Sequence, residues 1–396
     1  MSYQKNADLL NEFVEKVKGN PFLKGFIKND STYESLPIMD KTVLRQLIAD
    51  NFKLQEEEKG VYLQRTGGTM SESLLIPVDP FENYKQRDIL VAKLKAESLI
   101  EPRDICINLF NYKHLYRSAS LLDYIIEHCE ATSVGLGAIT PDEFVYNFAV
   151  TLHANTLVGT PTRVLQFANY VLENGLNIKF RKFIFGGEVL TNQFLQTIKE
   201  VFGIEKIIGL YGAMEIGTFA YTDYLAYPGK YKLLDDLILV DVENPDELGF
   251  GNILITNKVK ERFPVLKYRL GDVGRVYKEN NVTWFEWKKR GEYGFRLLQV
   301  YIFEEMLNPI LNEFARYQIK ISFNDLGKSK LEFLITPYQD KMVDFKKLEA
   351  DLRVILTIST SEYELILIKA EHHDYFVNPV SQKSPLLIDH RNKVIV

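Results

Sequence analysis

Apolar residues at Leu9, Leu10, Phe13, Val14 and Val17 recur at helical spacing and predict a helix at the start of the chain. After Leu36-Pro37-Ile38-Met39-Asp40-Lys41 a second short helix is expected over 42–48. Between 62 and 78 the β-prone residues flank a Gly/Thr-rich segment, so that segment joins two strands. Farther on, strand-like runs and helical patterns alternate. Thr140-Pro141-Asp142-Glu143 has the form of a helix start, with Thr as the cap. Residues 155–161 read as a strand ending at a turn, and 162–174 as a helix closed by Gly175. Lys182-Phe183-Ile184-Phe185 is the next strand, and Thr191 is placed to cap a helix that runs to Phe202 and stops at Gly203. A third strand, Lys206 to Tyr211, ends in Gly212. Alternation of this kind implies parallel strands with crossover helices, and such sheets gather ligands beyond the C-terminal strand ends.

From about 233 to 276 the pattern changes to closely spaced β runs, which read as a compact β subdomain. After Arg290 a helix over 302–314, strands over 318–323 and 331–336, a helix over 342–355 and a strand over 363–369 form an α+β unit. The expected fold is therefore α/β: a large N-terminal domain, residues 1–289, with mixed or parallel sheets and a β subdomain, and a small α+β domain, residues 290–396.

Composition narrows the function classes. A net charge of -5 argues against nucleic-acid binding by bulk electrostatics. Two cysteines, Cys106 and Cys129, in 396 residues make neither a disulfide framework nor a thiolate zinc site. The polar start and the lack of a long apolar run predict a cytoplasmic protein with no membrane partner. The histidines show no metal-ligand spacing.

The chemistry is concentrated in short segments. Thr66-Gly67-Gly68-Thr69-Met70-Ser71-Glu72-Ser73 is rich in bare backbone N–H groups and hydroxyls, which suit phosphate oxygens, although it lacks the ending of a P-loop. Read alone, it is equally a flexible hairpin turn. Gly186-Gly187-Glu188 and Tyr211-Gly212-Ala213-Met214-Glu215 lie just past strand ends. There Glu188 and Glu215 are placed to hold Mg²⁺ or orient a nucleotide, or simply to complement a helix N-terminus. Tyr211 is either an adenine-stacking ring or core. Asp272, after Gly271, is either a ribose ligand or a turn residue. Lys383 stands in a polar stretch close to the C-terminus.

Together and in this order the segments resemble the adenylate-forming superfamily, and most closely its phenylacetate–CoA ligase-like branch. Leu36-Pro37-Ile38-Met39-Asp40-Lys41 with Leu44-Arg45 is similar to a conserved N-terminal segment of that branch. Thr66-Gly67-Gly68-Thr69 resembles the phosphate loop, and Gly186-Gly187-Glu188 the adenine-side turn. Tyr211-Gly212 with Glu215-Ile216-Gly217 resembles the adenine and magnesium motif. Phe263-Pro264-Val265-Leu266-Lys267-Tyr268-Arg269-Leu270-Gly271-Asp272, the most specific match, resembles the ribose motif. Lys289-Arg290-Gly291 is similar to the hinge, and Lys383-Ser384-Pro385 to the segment bearing the catalytic lysine.

The resemblance implies ATP and Mg²⁺ as cofactors. Thr66, Gly67, Gly68, Thr69, Ser71, Gly187, Glu188, Tyr211, Gly212 and Asp272 would bind nucleotide. Glu215 would bind Mg²⁺, Lys383 the α-phosphate, and Arg290 would act at a hinge about which the C-terminal domain rotates. The expected activity activates a small carboxylic acid, an aromatic or medium acyl acid, as an acyl-adenylate. Transfer to a thiol follows, on CoA or on the phosphopantetheine of an acyl carrier protein. Transfer to an amine or a protein is an alternative. A non-catalytic nucleotide-binding homologue is another, and Met70, Met214 and Gln382 depart from the family pattern in its favour.

Overall fold

The computed structural model describes residues 7–66, 74–112, 115–190 and 192–290, and beyond them 294–297, 300–303, 307, 310–311, 313–324, 328–338, 342–356, 363–377, 384 and 386–389. The chain divides into two compact units, Met1–Gly291 and Glu292–Val396.

The first unit opens with α1 (Ala7–Val17) and α2 (Lys41–Asn51). α1 buries Leu10, Phe13, Val14 and Val17, the apolar stripe of its sequence. Asp40 caps α2 by accepting from the Val43 N–H at 2.8 Å. β1 (Tyr62–Arg65) and β2 (Leu75–Val78) then pair antiparallel on either side of the Gly/Thr segment.

α3 (Pro80–Ala96) starts at Asp79-Pro80, with the Asp79 carboxylate accepting from the Phe81 and Glu82 N–H groups at 2.9 and 3.1 Å. β3 (Ile105–Asn108), α4 (Ser118–His128), β4 (Thr132–Gly135) and α5 (Asp142–Thr151) follow. Next come β5 (Thr156–Gly159), α6 (Pro161–Glu173), β6 (Lys182–Gly186), α7 (Asn192–Phe202) and β7 (Lys206–Ala213). β4, β3, β5, β6 and β7 are parallel neighbours in that order. Their side chains alternate between two cores. Ile107, Leu157, Phe183 and Ile207 pack with residues of α5, α6 and α7, whereas Cys106, Val158, Ile184 and Ile208 pack with α3, α4 and the N-terminal helices. Both faces of the parallel strands are thus covered, which explains their unbroken apolar runs.

β8 (Gly217–Asp223), β9 (Lys230–Leu233), β10 (Ile238–Glu243), β11 (Gly251–Asn257), β12 (Tyr268–Glu279) and β13 (Val282–Arg290) are antiparallel. The sequence pattern reads 233–276 as a compact β subdomain; in the structure these strands extend the sheet of the parallel strands. β8 folds back on β7, and the eleven-stranded order β10-β11-β12-β13-β9-β8-β7-β6-β5-β3-β4 is continuous. Thr140 also departs from expectation: its hydroxyl donates to Leu136 O instead of capping α5. The acidic start of that helix is taken up by Asp142, whose Oδ1 binds the buried Arg163 guanidinium at 2.6 Å.

In the second unit β14 (Gly294–Leu297) and β15 (Val300–Phe303) form a hairpin. Ile302 is therefore in a strand where the sequence predicts helix, and the helical residues described here begin at Leu307. β16 (Arg316–Phe323), β17 (Ser329–Thr336), β18 (Tyr363–Lys369) and β19 (Leu387–Asp389) make a mixed sheet in the order β18-β17-β16-β19. α8 (Phe345–Leu356) lays Leu348, Leu352 and Leu356 against Ile321, Leu331 and Phe333 of that sheet. Among the described residues no helix is long and apolar enough to cross a membrane.

Candidate active site

Three neighbouring strand ends carry most of the segments singled out in the sequence. At the end of β5, Thr160 caps α6 by accepting from the Arg163 N–H at 3.3 Å. At the end of β6, a Cβ on Gly186 would stand 3.0 Å from Leu210 O, and Gly187 adopts φ +77°, where glycine is favoured. The bend brings Glu188 across to α6, and its Oε2 accepts from the Thr162 N–H at 2.8 Å. This carboxylate complements the positive end of a helix, one of the two roles open to it from the sequence.

At the end of β7, a Cβ on Gly212 would lie 2.5 Å from Gly217 O and 2.7 Å from Thr218 Cα. The close return of β8 accounts for this glycine. Tyr211 is packed against Phe219, Tyr231 and Phe285, at centroid distances of 5.2, 5.2 and 5.0 Å. It is held as a half-buried member of an aromatic cluster.

The segments Tyr211–Glu215 and Tyr268–Asp272 each begin with tyrosine and end in a carboxylate, and they exchange hydrogen bonds. Tyr211 donates its hydroxyl to Asp272 Oδ2. Tyr268 donates to Glu215 Oε1 at 3.0 Å. Two segments more than fifty residues apart in sequence are thereby locked together at one end of the sheet. A third joins them: the Met39 N–H donates to Lys267 O at 3.2 Å, and Met39 O accepts from the Arg269 N–H at 2.8 Å. Gly271, at φ +83°, turns the chain into the buried Asp272. Arg269 is engaged with Glu243 through contacts of 2.8 and 3.0 Å. Arg290, at the end of β13, is the register partner of Asp272.

Thr66 closes the base of the Gly/Thr segment: its N–H donates to Leu74 O at 3.0 Å, and its hydroxyl accepts from the Leu74 N–H at 2.8 Å. Gly67, Gly68, Thr69 and Ser71, and also Lys383, lie outside the described residues.

Sequence reasoning assigned no role to Gln64, Asn257, Lys260 or the Tyr268 hydroxyl, all of which touch the Glu215 segment. No local pattern marks them, because each contact joins residues far apart in the chain. Lys260 is fully enclosed. Burial pushes its ammonium down to about 8, against the opposing pull of the Glu215 and Glu82 carboxylates.

A divalent cation fits Glu215 chemically. Oε2 takes no hydrogen bond or ion pair from a described residue, and a single carboxylate oxygen supplemented by phosphate and water suits Mg²⁺. Among the described residues no three His, Cys, Asp or Glu side chains converge as a protein-only metal site. A groove of about 740 Å³ over β10–β12, lined in part by Glu243, Lys267 and Arg275, contains none of the residues assigned to nucleotide, Mg²⁺ or catalysis.

No protein-family profile matches the chain. Among curated proteins, it is similar to the indoleacetate–lysine synthetase of Pseudomonas savastanoi, with 25% identity over 409 residues that cover 98% of each chain. Among solved structures, it is similar to a 2-hydroxyisobutyryl-CoA ligase in the postadenylation state with 2-HIB-AMP. The TM-score is 0.72 at 16% identity, over 97% of this chain and 89% of that one. It is also similar to ATP-bound MatB from Rhodopseudomonas palustris, with a TM-score of 0.56 at 14% identity over 86% of this chain and 70% of that one. The chain thus shares the fold of these adenylate-forming ligases, and its likeness to the synthetase runs along the whole length of both chains.

Proposed function

We propose that the protein uses ATP to activate a carboxylic acid as an acyl-adenylate, releasing pyrophosphate, and then transfers the acyl group to an amine. The observation that carries the activation step is the reciprocal exchange between Tyr211–Asp272 and Tyr268–Glu215, which holds the proposed ribose and magnesium carboxylates in one locked pair of segments. In this reading an oxygen of the acid attacks the α-phosphorus, and the bond to pyrophosphate breaks. Asp272 accepts hydrogen bonds from the ribose hydroxyls, with Tyr211 holding its carboxylate in place. Backbone N–H groups and hydroxyls of Thr66, Gly67, Gly68, Thr69 and Ser71 hold the phosphates, with Gly187, Glu188 and Gly212 lining the adenine side. Lys383 neutralises charge on the α-phosphate. Glu215 would hold Mg²⁺, which screens repulsion between the two reacting anions. An amine then attacks the acyl carbon, AMP leaves, and the amine proton passes to solvent.

The relatives bear on the choice of acceptor. The curated relative matched from end to end is named for joining an acid to lysine, and this favours an amine. Transfer to a thiol, on CoA or a carrier-protein pantetheine, is the second reading. It is favoured by the CoA ligases among the structural neighbours. The phenylacetate–CoA ligase-like branch, a division near residue 290 and rotation of the C-terminal domain about Arg290 belong to the same proposal.

Product analysis separates the readings. The protein, ATP, Mg²⁺ and a panel of aromatic and aliphatic acids are incubated with an amino-acid mixture and CoA in competition. An amide product supports the first reading, and a thioester replaces it with the second. AMP release without either product overturns both acceptor assignments.

A further inference from the structure

We infer that Gln64, Lys260 and Asn257 form a cradle that positions Glu215 by holding the backbone of its turn at three consecutive carbonyls. The inference rests on the adenylating role proposed for Glu215. Gln64 Nε2 donates to Met214 O, Lys260 Nζ to Glu215 O at 2.6 Å, and Asn257 Nδ2 to Ile216 O at 2.8 Å. The three donors come from β1, the segment after β11, and the end of β11, and all three side chains are buried.

The arrangement is built from behind as well. Asn257 Oδ1 accepts from the Val259 and Lys260 N–H groups at 2.9 and 3.2 Å, which fixes the base of the lysine. Gln86 Oε1 lies 3.3 Å from Asn257 Nδ2. The same oxygen would stand 2.5 Å from a Cβ on Gly217, so Gln86 packs directly against the end of the turn, where only glycine leaves it space. From the other side Tyr268 holds the Glu215 carboxylate itself. Backbone and carboxylate are therefore fixed independently.

Two features raise this above ordinary satisfaction of buried carbonyls. A neutral amide would satisfy Glu215 O, yet the chain places a lysine there, buried close to the Glu215 and Glu82 carboxylates. Gln64 also lies two residues before Thr66, on the strand that leads into the proposed phosphate loop. The cradle thus ties the start of that loop to the turn carrying Glu215, so that phosphate and cation ligands keep a fixed relation.

Lys260→Met removes donor and charge at similar volume, and Lys260→Gln keeps a donor without the charge. The first readout is hydrogen exchange of peptides spanning 212–219 in the ligand-free protein, which does not depend on activity. Exchange in the Met variant is expected to rise about tenfold, with the Gln variant returning most of the protection. The second readout is the Mg²⁺ dependence of acid-dependent pyrophosphate release. The cradle predicts a half-saturating Mg²⁺ concentration raised about tenfold in the Met variant, with a much smaller change for Gln. Gln64→Leu, on a different element, provides the same comparison should Lys260→Met fail to fold. Unchanged exchange, or activity lost in step with stability at an unchanged Mg²⁺ requirement, overturns the inference. Faster exchange in the variant, with a wild-type protein silent towards every acid, overturns the adenylating role instead and leaves the backbone contacts standing.

Discussion

Tyr268 donates its hydroxyl to Glu215 across 3.0 Å, and its own segment ends at Asp272, which receives the hydroxyl of Tyr211. The two bonds make each segment the support of the other's carboxylate. Their consequences differ, because the two carboxylates are assigned different partners.

Replacing Tyr268 by Phe removes the hydroxyl that donates to Glu215. A hydrogen bond to a charged acceptor contributes about 1.5–3 kcal/mol, so adenylation should fall by about tenfold or more, with the Mg²⁺ requirement raised. Tyr211→Phe should weaken ATP binding instead, raising KM for ATP more than it lowers kcat. Identical kinetic defects in the two variants would contradict the division of roles.

Asp272→Asn keeps the side chain's shape and removes its charge. If this carboxylate accepts from ribose hydroxyls, calorimetry should show ATP affinity reduced by about tenfold or more, while the melting temperature changes only by a few degrees. Undiminished affinity would show that Asp272 serves Tyr211 and the fold alone.

Gly212→Ala tests the turn that carries Glu215. The added Cβ has 2.5 Å to the Gly217 oxygen and 2.7 Å to a backbone carbon, neither of which is a flexible side-chain end. Overpacking of this kind costs about 1–3 kcal/mol, and denaturant titration should find a loss in that range. Gly229→Ala is the control: no atom lies within 4 Å of its Cβ, although φ is +72°, so it reports backbone strain without a clash.

Asp79 provides a pH-dependent prediction. Burial pushes its carboxyl up, but hydrogen bonds from the Arg262 guanidinium and from the Glu82 and Phe81 N–H groups outweigh this and hold it below the ordinary range. A carboxyl depressed in the folded state contributes stability that is present above its unfolded value and is lost as pH falls through the folded one. Asp79→Asn keeps a capping oxygen and loses the ion pair, whereas Asp79→Ala loses both and should cost about 1 kcal/mol more at neutral pH. Stability of the wild type should fall more steeply than that of Asp79→Asn as pH drops below about 4. Parallel pH profiles would remove the ion pair from the account.

What the sequence made legible was local. Val14, Phe183 and Ile207 announced helix and strand through spacing and apolar runs, and Gly187 and Gly212 marked strand ends, the one at positive φ and the other where β8 leaves no space for a Cβ. The helix over Pro80–Ala96 passed unnoticed, although Asp79-Pro80 is a strong start signal, because its charged and apolar residues keep no clear face. Thr140 failed as a cap because the preceding loop offered its hydroxyl the Leu136 carbonyl. The continuity of the large sheet depends on β8 returning beside β7, a long-range pairing that the pattern of β runs does not encode. Of the site, the carboxylates were visible through their motifs. Lys260 and Gln64 were not, since nothing in their neighbours' identities reports a carbonyl 45 or 150 residues away.

The most direct test of the central claim is acid-dependent release of pyrophosphate from ATP, measured without any acceptor over a panel of aromatic and aliphatic acids. The account predicts release with one class of acid, a matching acyl-adenylate in the products, and loss of both in Asp272→Ala and Lys383→Ala. ATP binding with no release for any acid would contradict it and leave a nucleotide-binding protein that keeps the fold without the chemistry.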